Sequence, residues 1–138
     1  MYLLDTNVVS EARKGVRANA GVRRFLDRIR REQAPVFLSV ITVGELRRGV
    51  ELIRRRGDLV QAQRLERWLD TTLANYADMI LPVDADVAQL WGHLRAPHPE
   101  HSLDKFIAAT ALIHDLSVVT RNARDFAATG ARLIDPFT

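Results

Sequence analysis

The sequence predicts an α/β protein, a three-layer α/β/α sandwich on a parallel sheet, and three observations carry that prediction. Short apolar runs of strand length show almost no polar alternation, as strands buried on both faces do. The stretches between them repeat apolar residues at helical spacing. Strands that alternate with helices are joined by crossovers, which leaves them parallel and covered above and below. A chain of 138 residues with 47% hydrophobic content is the size of one domain, so residues 1–138 are read as a single unit.

Tyr2-Leu3-Leu4 is the first strand and stops abruptly at Asp5-Thr6-Asn7. Ligands collect beyond the carboxyl ends of strands in open α/β sheets, so Asp5 faces the crevice where chemistry is usually done. Asp, Thr and Asn also favour caps and turns, so the same triplet can instead simply begin a helix. After a polar, glycine-bearing stretch, Val22, Phe25, Leu26 and Ile29 mark an amphipathic helix, with Arg23, Arg24, Arg28, Arg30 and Arg31 on its other faces. Such an arginine run is usually a solvated face and is a secondary candidate for RNA contact. Pro35 breaks the pattern, and Val36-Phe37-Leu38 leads into Ser39 as the second strand.

Val43, Leu46, Val50 and Ile53 stripe the next, long helix. Thr42-Val43-Gly44-Glu45 has the spacing of a capping box, in which the glutamate reaches back to a backbone N–H. A helix beginning at Ser39 would instead free Glu45 for other work. Arg54-Arg55-Arg56-Gly57-Asp58 marks a helix end and turn, and Leu65, Trp68, Leu69 and Leu73 stripe a returning helix, so an antiparallel hairpin is expected.

Met79-Ile80-Leu81-Pro82-Val83 is the third apolar run, with Pro82 pointing to a sheet edge. Asp84 or Asp86 caps the helix of Val87, Leu90, Trp91 and Leu94. Residues 97–102 form a loop, and the helix from Leu103 is apolar on most faces and must be buried. Asp104 in its first turn also suits the helix dipole. His98 and His101 sit in a proline-rich loop with no other histidine or cysteine nearby, a poor pattern for a metal site. Ser117-Val118-Val119-Thr120 is the fourth strand, with Asp125 beyond its carboxyl end, and Arg132-Leu133-Ile134 is the fifth.

Composition narrows the function. The net charge is +3, the sequence pI is about 9.9, and Lys14 and Lys105 are the only lysines among 20 basic residues, so the balance is made of arginine. Arginine contacts phosphate bidentately and stays charged, which suits a polyanionic partner. No apolar run is long enough for a bilayer and no secretory leader is visible, so a cytoplasmic protein without membrane contact is expected. Cysteine is absent, so any metal must be held by oxygen or imidazole.

Four acids, Asp5, Glu45, Asp104 and Asp125, stand at strand ends or in first helical turns along one expected edge of the sheet. Convergent carboxylates repel one another in a low-dielectric cleft and are stable mainly when a cation neutralises them. Hard oxygen ligands select magnesium or manganese, and such an ion can drive phosphodiester hydrolysis.

The stretches Leu3-Leu4-Asp5-Thr6-Asn7-Val8-Val9-Ser10-Glu11, Val43-Gly44-Glu45-Leu46-Arg47-Arg48-Gly49, Asp104-Lys105-Phe106-Ile107-Ala108-Ala109-Thr110-Ala111 and Val119-Thr120-Arg121-Asn122-Ala123-Arg124-Asp125-Phe126 together resemble the PIN-domain ribonucleases, specifically the VapC and FitB-like toxins of type II toxin–antitoxin pairs. The resemblance runs in order from Tyr2 to nearly Thr138. It implies sheet order 3-2-1-4-5, a protruding helical hairpin and a Mg2+-dependent endoribonuclease, with Mn2+ as a substitute. It places metal-binding acids at Asp5 and Asp104, with Glu45 and Asp125 completing the catalytic site and Thr6, Thr120 and Asn122 supporting it. It also implies an RNA substrate, a homodimer, and a cognate DNA-binding antitoxin that covers the site, in assemblies that can sit on DNA. The chain departs from the family pattern in a shorter loop between Leu94 and Asp104, and in Asp115, where a glycine often ends the helix.

Two other classes share features of this pattern. A phosphoacceptor receiver would need paired acids after the first strand and a lysine beyond the last, whereas Thr6 and Asp135-Pro136 occupy those places. A non-catalytic nucleic-acid-binding or partner-regulating module on the same fold is the alternative to the enzyme.

Overall fold

The computed structural model describes residues 1–138. Five strands, β1 (Tyr2–Leu4), β2 (Val36–Ser39), β3 (Ile80–Leu81), β4 (Ser117–Val119) and β5 (Arg132–Ile134), form one sheet of order β3-β2-β1-β4-β5. Every neighbouring pair is parallel, with Leu3 opposite Phe37 on one side and Val118 on the other. The order and the parallel sense are those expected. The connections are α1 (Thr6–Ala12), α2 (Ala20–Arg31), α3 (Val40–Arg55), α4 (Leu59–Asn75), α5 (Ala85–Arg95), α6 (Ser102–His114) and α7 (Ala123–Phe126).

Apolar runs on the central strands supply both faces because successive side chains alternate. Leu4 and Val119 join Val8, Val22, Phe25, Leu46 and Leu69 in one buried cluster. Their neighbours Leu3 and Val118 join Ile107, Ala108, Ala111 and Phe126 in another, on the opposite side. Alanines on α6 let that helix lie close to the sheet, and its Ile107 to Ala111 segment is buried as expected.

Four local features differ from or refine the sequence reading. The polar stretch after Asn7 is helical: α1 starts at Thr6 and buries Val8 and Val9. Strand β3 keeps only two residues of its apolar run, at the edge that Pro82 indicated. The hairpin α3–α4 turns through Gly57 at φ 88°, where an L side chain would be strained. Arg54 bonds Glu66 at 2.8 Å and Arg47 reaches both Glu66 and Asp70 across the hairpin, pairings that fix the helices as antiparallel. Asp115 ends α6 in the left-handed conformation, φ 55°, as a replacement for glycine must, and Arg132 bonds both its carboxylate and its carbonyl.

At the opposite side of the sheet, Gly21 admits the C-terminal tail. A Cβ there would lie 2.1 Å from the Pro136 carbonyl oxygen. The Asn19 side chain caps α2 and also accepts from the Thr138 N–H at 3.1 Å, tying the tail to the helix. No helix is long and apolar enough to cross a membrane.

Candidate active site

The carboxyl ends of β1, β2 and β4 and the first turns of α3, α6 and α7 open onto one cleft. Strand β1 is central, so its last residue delivers Asp5 to the middle of it. Asp5 is 3% exposed and its carboxylate accepts three hydrogen bonds. One oxygen accepts from the Thr6 N–H at 2.8 Å and caps α1. The other accepts from the Thr120 hydroxyl at 2.8 Å and the Asn7 amide at 3.3 Å. The capping and site readings of Asp5 are therefore compatible, because one carboxylate does both. Burial pushes the Asp5 carboxyl above its ordinary pKa, opposed by the hydrogen bonds from Thr120, Thr6 and Asn7, with Asp125 adding to the rise.

Glu45 is free of the capping box. Helix α3 begins at Val40, with Ser39 as its N-cap accepting from the Ile41 N–H at 3.0 Å. Glu45 thus stands in the second turn, facing α1, where Thr6 donates its hydroxyl to Oε1 at 2.8 Å. Thr6 therefore links the Asp5 loop to Glu45.

Asp104 lies in the first turn of α6. Its carboxyl is pushed up to about 6, chiefly by burial and then by the charges of Asp5, Asp125 and Glu45, with His101 opposing. The other three sequence-predicted acids are thus within electrostatic reach of Asp104. None of the ion pairs in the structure involves Asp5, Glu45 or Asp104. Asp125, in α7, has only His101 beside it, with Nε2 and Oδ1 3.6 Å apart.

The predicted supporting residues divide. Thr6 and Thr120 bond the acids directly. The Asn122 side chain makes no hydrogen bond to an acid; its backbone N–H donates to the Thr120 hydroxyl at 3.0 Å and so steadies the donor to Asp5. Asn7 was not singled out from the sequence, yet it spans the site: its amide donates to Asp5 while its oxygen accepts from the Arg121 N–H at 3.0 Å. Its spacing two residues after Asp5, where an amide can fold back on the carboxylate, was the available signal. His101 stands in a loop whose sequence is a poor pattern for a metal site; here its ring, with Asp104 and Asp125, offers ligand atoms all within 4.8 Å of one another.

The fold and the cleft define a PIN-domain protein, and a PIN domain profile matches residues 2–131. The chain belongs to this family, among the VapC and FitB toxins of toxin–antitoxin systems. It is 38% identical to Toxin FitB of Neisseria gonorrhoeae over 99% of each chain. It is 35% identical to the plasmid stability protein StbB of Pseudomonas syringae pv. tomato over 99% of each. A VapC ribonuclease of Sinorhizobium fredii is 34% identical, with 99% of this chain and 98% of the relative covered. The crystal structure of FitAcB from Neisseria gonorrhoeae matches with a TM-score of 0.78 at 38% identity, over 99% of this chain and 98% of that one.

Proposed function

We propose that this protein is a divalent-metal-dependent endoribonuclease, the toxin of a type II pair, with Asp5, Glu45, Asp104 and Asp125 as its acidic site. The observation that carries the proposal is the convergence of these acids, with Asp5, Glu45 and Asp104 free of any lysine or arginine partner; burial first, and then the charges of Asp5, Asp125 and Glu45, push the Asp104 carboxyl up to about 6. The ribonuclease and toxin names of the similar proteins support the same reading.

The donor set fits a hard divalent cation: carboxylate oxygens converge at the protein surface, with solvent on the open side for further ligands. Asp5 and Asp104 would hold the ion, with Glu45 and Asp125 alongside. A bound Mg2+ or Mn2+ would supply Lewis acidity for water activation and charge for the phosphodiester transition state. The chain's own part is orientation. Thr120 and Asn7 lock Asp5 in one rotamer, and Thr6 does the same for Glu45, so the acids need little reorganisation when the ion and RNA arrive. Arg121, bonded through its N–H to Asn7 and stacked over Phe137 at 5.1 Å, brings a permanent positive charge beside the cleft for RNA phosphates.

The surface next to Glu45 supports inhibition by a cognate antitoxin. A cleft between α1, α3 and α4 is lined by Leu46, Gly49, Leu65 and Trp68 and reaches Thr6 and Glu45 at the edge of the acidic site. An amphipathic segment laid there would bury apolar side chains and could place an arginine or lysine among the carboxylates in competition with the cation. Val40 on α3 and Leu112 and Ile113 on α6 leave apolar surface uncovered, which suits the homodimer that the resemblance implies.

The test is cleavage of structured RNAs by the purified protein with Mg2+ or Mn2+, with EDTA and the Asp104→Asn variant as controls. Cleavage is expected only with metal and only in the wild type. Cleavage that persists in EDTA or in the variant contradicts the assignment, and RNA binding without cleavage favours the non-catalytic alternative.

A further inference from the structure

We propose that His101 is a nitrogen ligand to the cation of the acidic cleft, and that with Asp104 and Asp125 it tilts the site toward Mn2+ or a later transition ion rather than Mg2+. This rests on the metal-dependent reading above and refines which metal the site takes.

The geometry comes first. Nε2 of His101 faces Oδ1 of Asp125 across 3.6 Å, too far for a hydrogen bond and with no other group bonded between them. His101, Asp104 and Asp125 each present one ligand atom within 4.8 Å of the others. Around an octahedral ion with bonds of about 2.1 Å, ligand atoms lie about 3.0 Å apart when adjacent and about 4.2 Å apart when opposite. The 3.6 Å between His101 and Asp125 needs about 0.6 Å of closure to reach the adjacent spacing, and a pair at the 4.8 Å limit needs about 0.6 Å to reach the opposite one, shifts that side-chain rotation supplies.

The loop that carries His101 is fixed from three sides. The Trp91 indole donates to the Ser102 carbonyl at 3.0 Å and the Arg95 guanidinium donates to the Pro99 carbonyl at 3.3 Å. The buried Lys105 ammonium donates to the Glu100 carbonyl. His101 itself takes a left-handed conformation, φ 52° and ψ 51°, a region that histidine enters more readily than most side chains. These restraints aim the imidazole at the acids, although the ring remains half exposed.

The chemistry sets the metal. Mg2+ prefers all-oxygen octahedra, whereas imidazole binds the first-row transition ions well, and mixed nitrogen and carboxylate sets suit Mn2+ and its heavier neighbours. With His101 included, the ligand set ceases to be purely oxygen.

The decisive experiment is pulsed electron paramagnetic resonance of metal-stripped protein reloaded with Mn2+. The wild type should show nitrogen coupling from one directly bound imidazole, and His101→Ala should lose it while His98→Ala keeps it. Mn2+ affinity should fall at least about tenfold in His101→Ala, with Mg2+ affinity nearly unchanged. Circular dichroism of each variant checks that it is folded, and His101→Gln, which retains a polar side chain, should also lose the nitrogen coupling. Mn2+ bound without nitrogen coupling in the wild type overturns the role of His101 but leaves the acidic metal site intact. Coupling that persists in His101→Ala overturns the role too. Failure of the wild type to bind Mn2+ at all overturns both.

Discussion

Asp5 and Asp104 face the same cleft and are the same residue type, yet the protein treats them in opposite ways. Asp5 is buried at the end of the central strand, with a backbone N–H, a hydroxyl and an amide all donating to it. Asp104 stands on a helix first turn with three other carboxylates within electrostatic reach, and its proton is held up to about 6. Burial raises both, but hydrogen bonds return much of that cost at Asp5 and almost none of it at Asp104. One acid is a fixed post; the other is a charge that waits for a cation. Stability and function thus coincide at Asp5 and oppose each other at Asp104.

The largest expected effect is on activity and does not separate the two. Asp5→Asn and Asp104→Asn should each lower RNA cleavage by roughly 10²–10³-fold or more, measured in single-turnover assays with saturating Mn2+. A variant that keeps activity near the wild type removes that acid from the site.

The supporting bonds come next. Thr120→Val removes the hydroxyl that donates to Asp5 and accepts from Asn122, leaving buried groups unpaired at a cost of about 1–3 kcal/mol. The Asp104 side should feel little of this. Denaturant unfolding of Thr120→Val, with and without Mn2+, measures it, and a midpoint equal to the wild type would mean that Asp5 is not held as described.

A smaller contrast separates cap from site on α3. Ser39→Ala should cost about 1 kcal/mol of stability while sparing cleavage. Glu45→Gln should leave stability within about 0.5 kcal/mol and cut cleavage. The reverse pattern would restore the capping box at Thr42–Glu45.

These contrasts also show what the sequence could and could not disclose. The sheet order, the hairpin and the four acids were legible, because apolar runs ending in carboxylates report strand ends directly and the family motifs carry the rest. Helix α1 was half legible: Asp5-Thr6-Asn7 announced a cap, but the polar stretch beyond hid the short apolar pair Val8-Val9. Glu45 was ambiguous because a capping box and a helix starting one turn earlier use the same letters, and only the Ser39 bond to Ile41 decides between them. Asn7 escaped, and His101 read as a poor metal pattern, because their neighbours Arg121 and Asp125 lie 114 and 24 positions away, which no local pattern reports.

A further contrast is in pH. Because Asp104 holds its proton up to about 6 when folded, against an ordinary value of 3.8, the folded state binds more protons between those limits. Stability therefore falls as pH rises through that window, and the melting temperature of metal-free wild type should gain on Asp104→Asn as pH is lowered from about 7 to about 5. A difference between the two proteins that stays flat with pH would show that Asp104 titrates as an ordinary surface acid.

Most direct is the melting temperature of wild type and Asp104→Asn, each with and without Mn2+, at pH near 7. A cation site at this cleft makes the two proteins cross over. Without metal the variant melts higher, because a repelled charge is gone. With Mn2+ at 100 times its Kd, the wild type gains about 2.7 kcal/mol, a rise of several degrees, while the variant gains little. If Asp104→Asn instead melts lower than the wild type without metal and responds equally to Mn2+, Asp104 serves the fold and the acidic cleft is not where the cation binds.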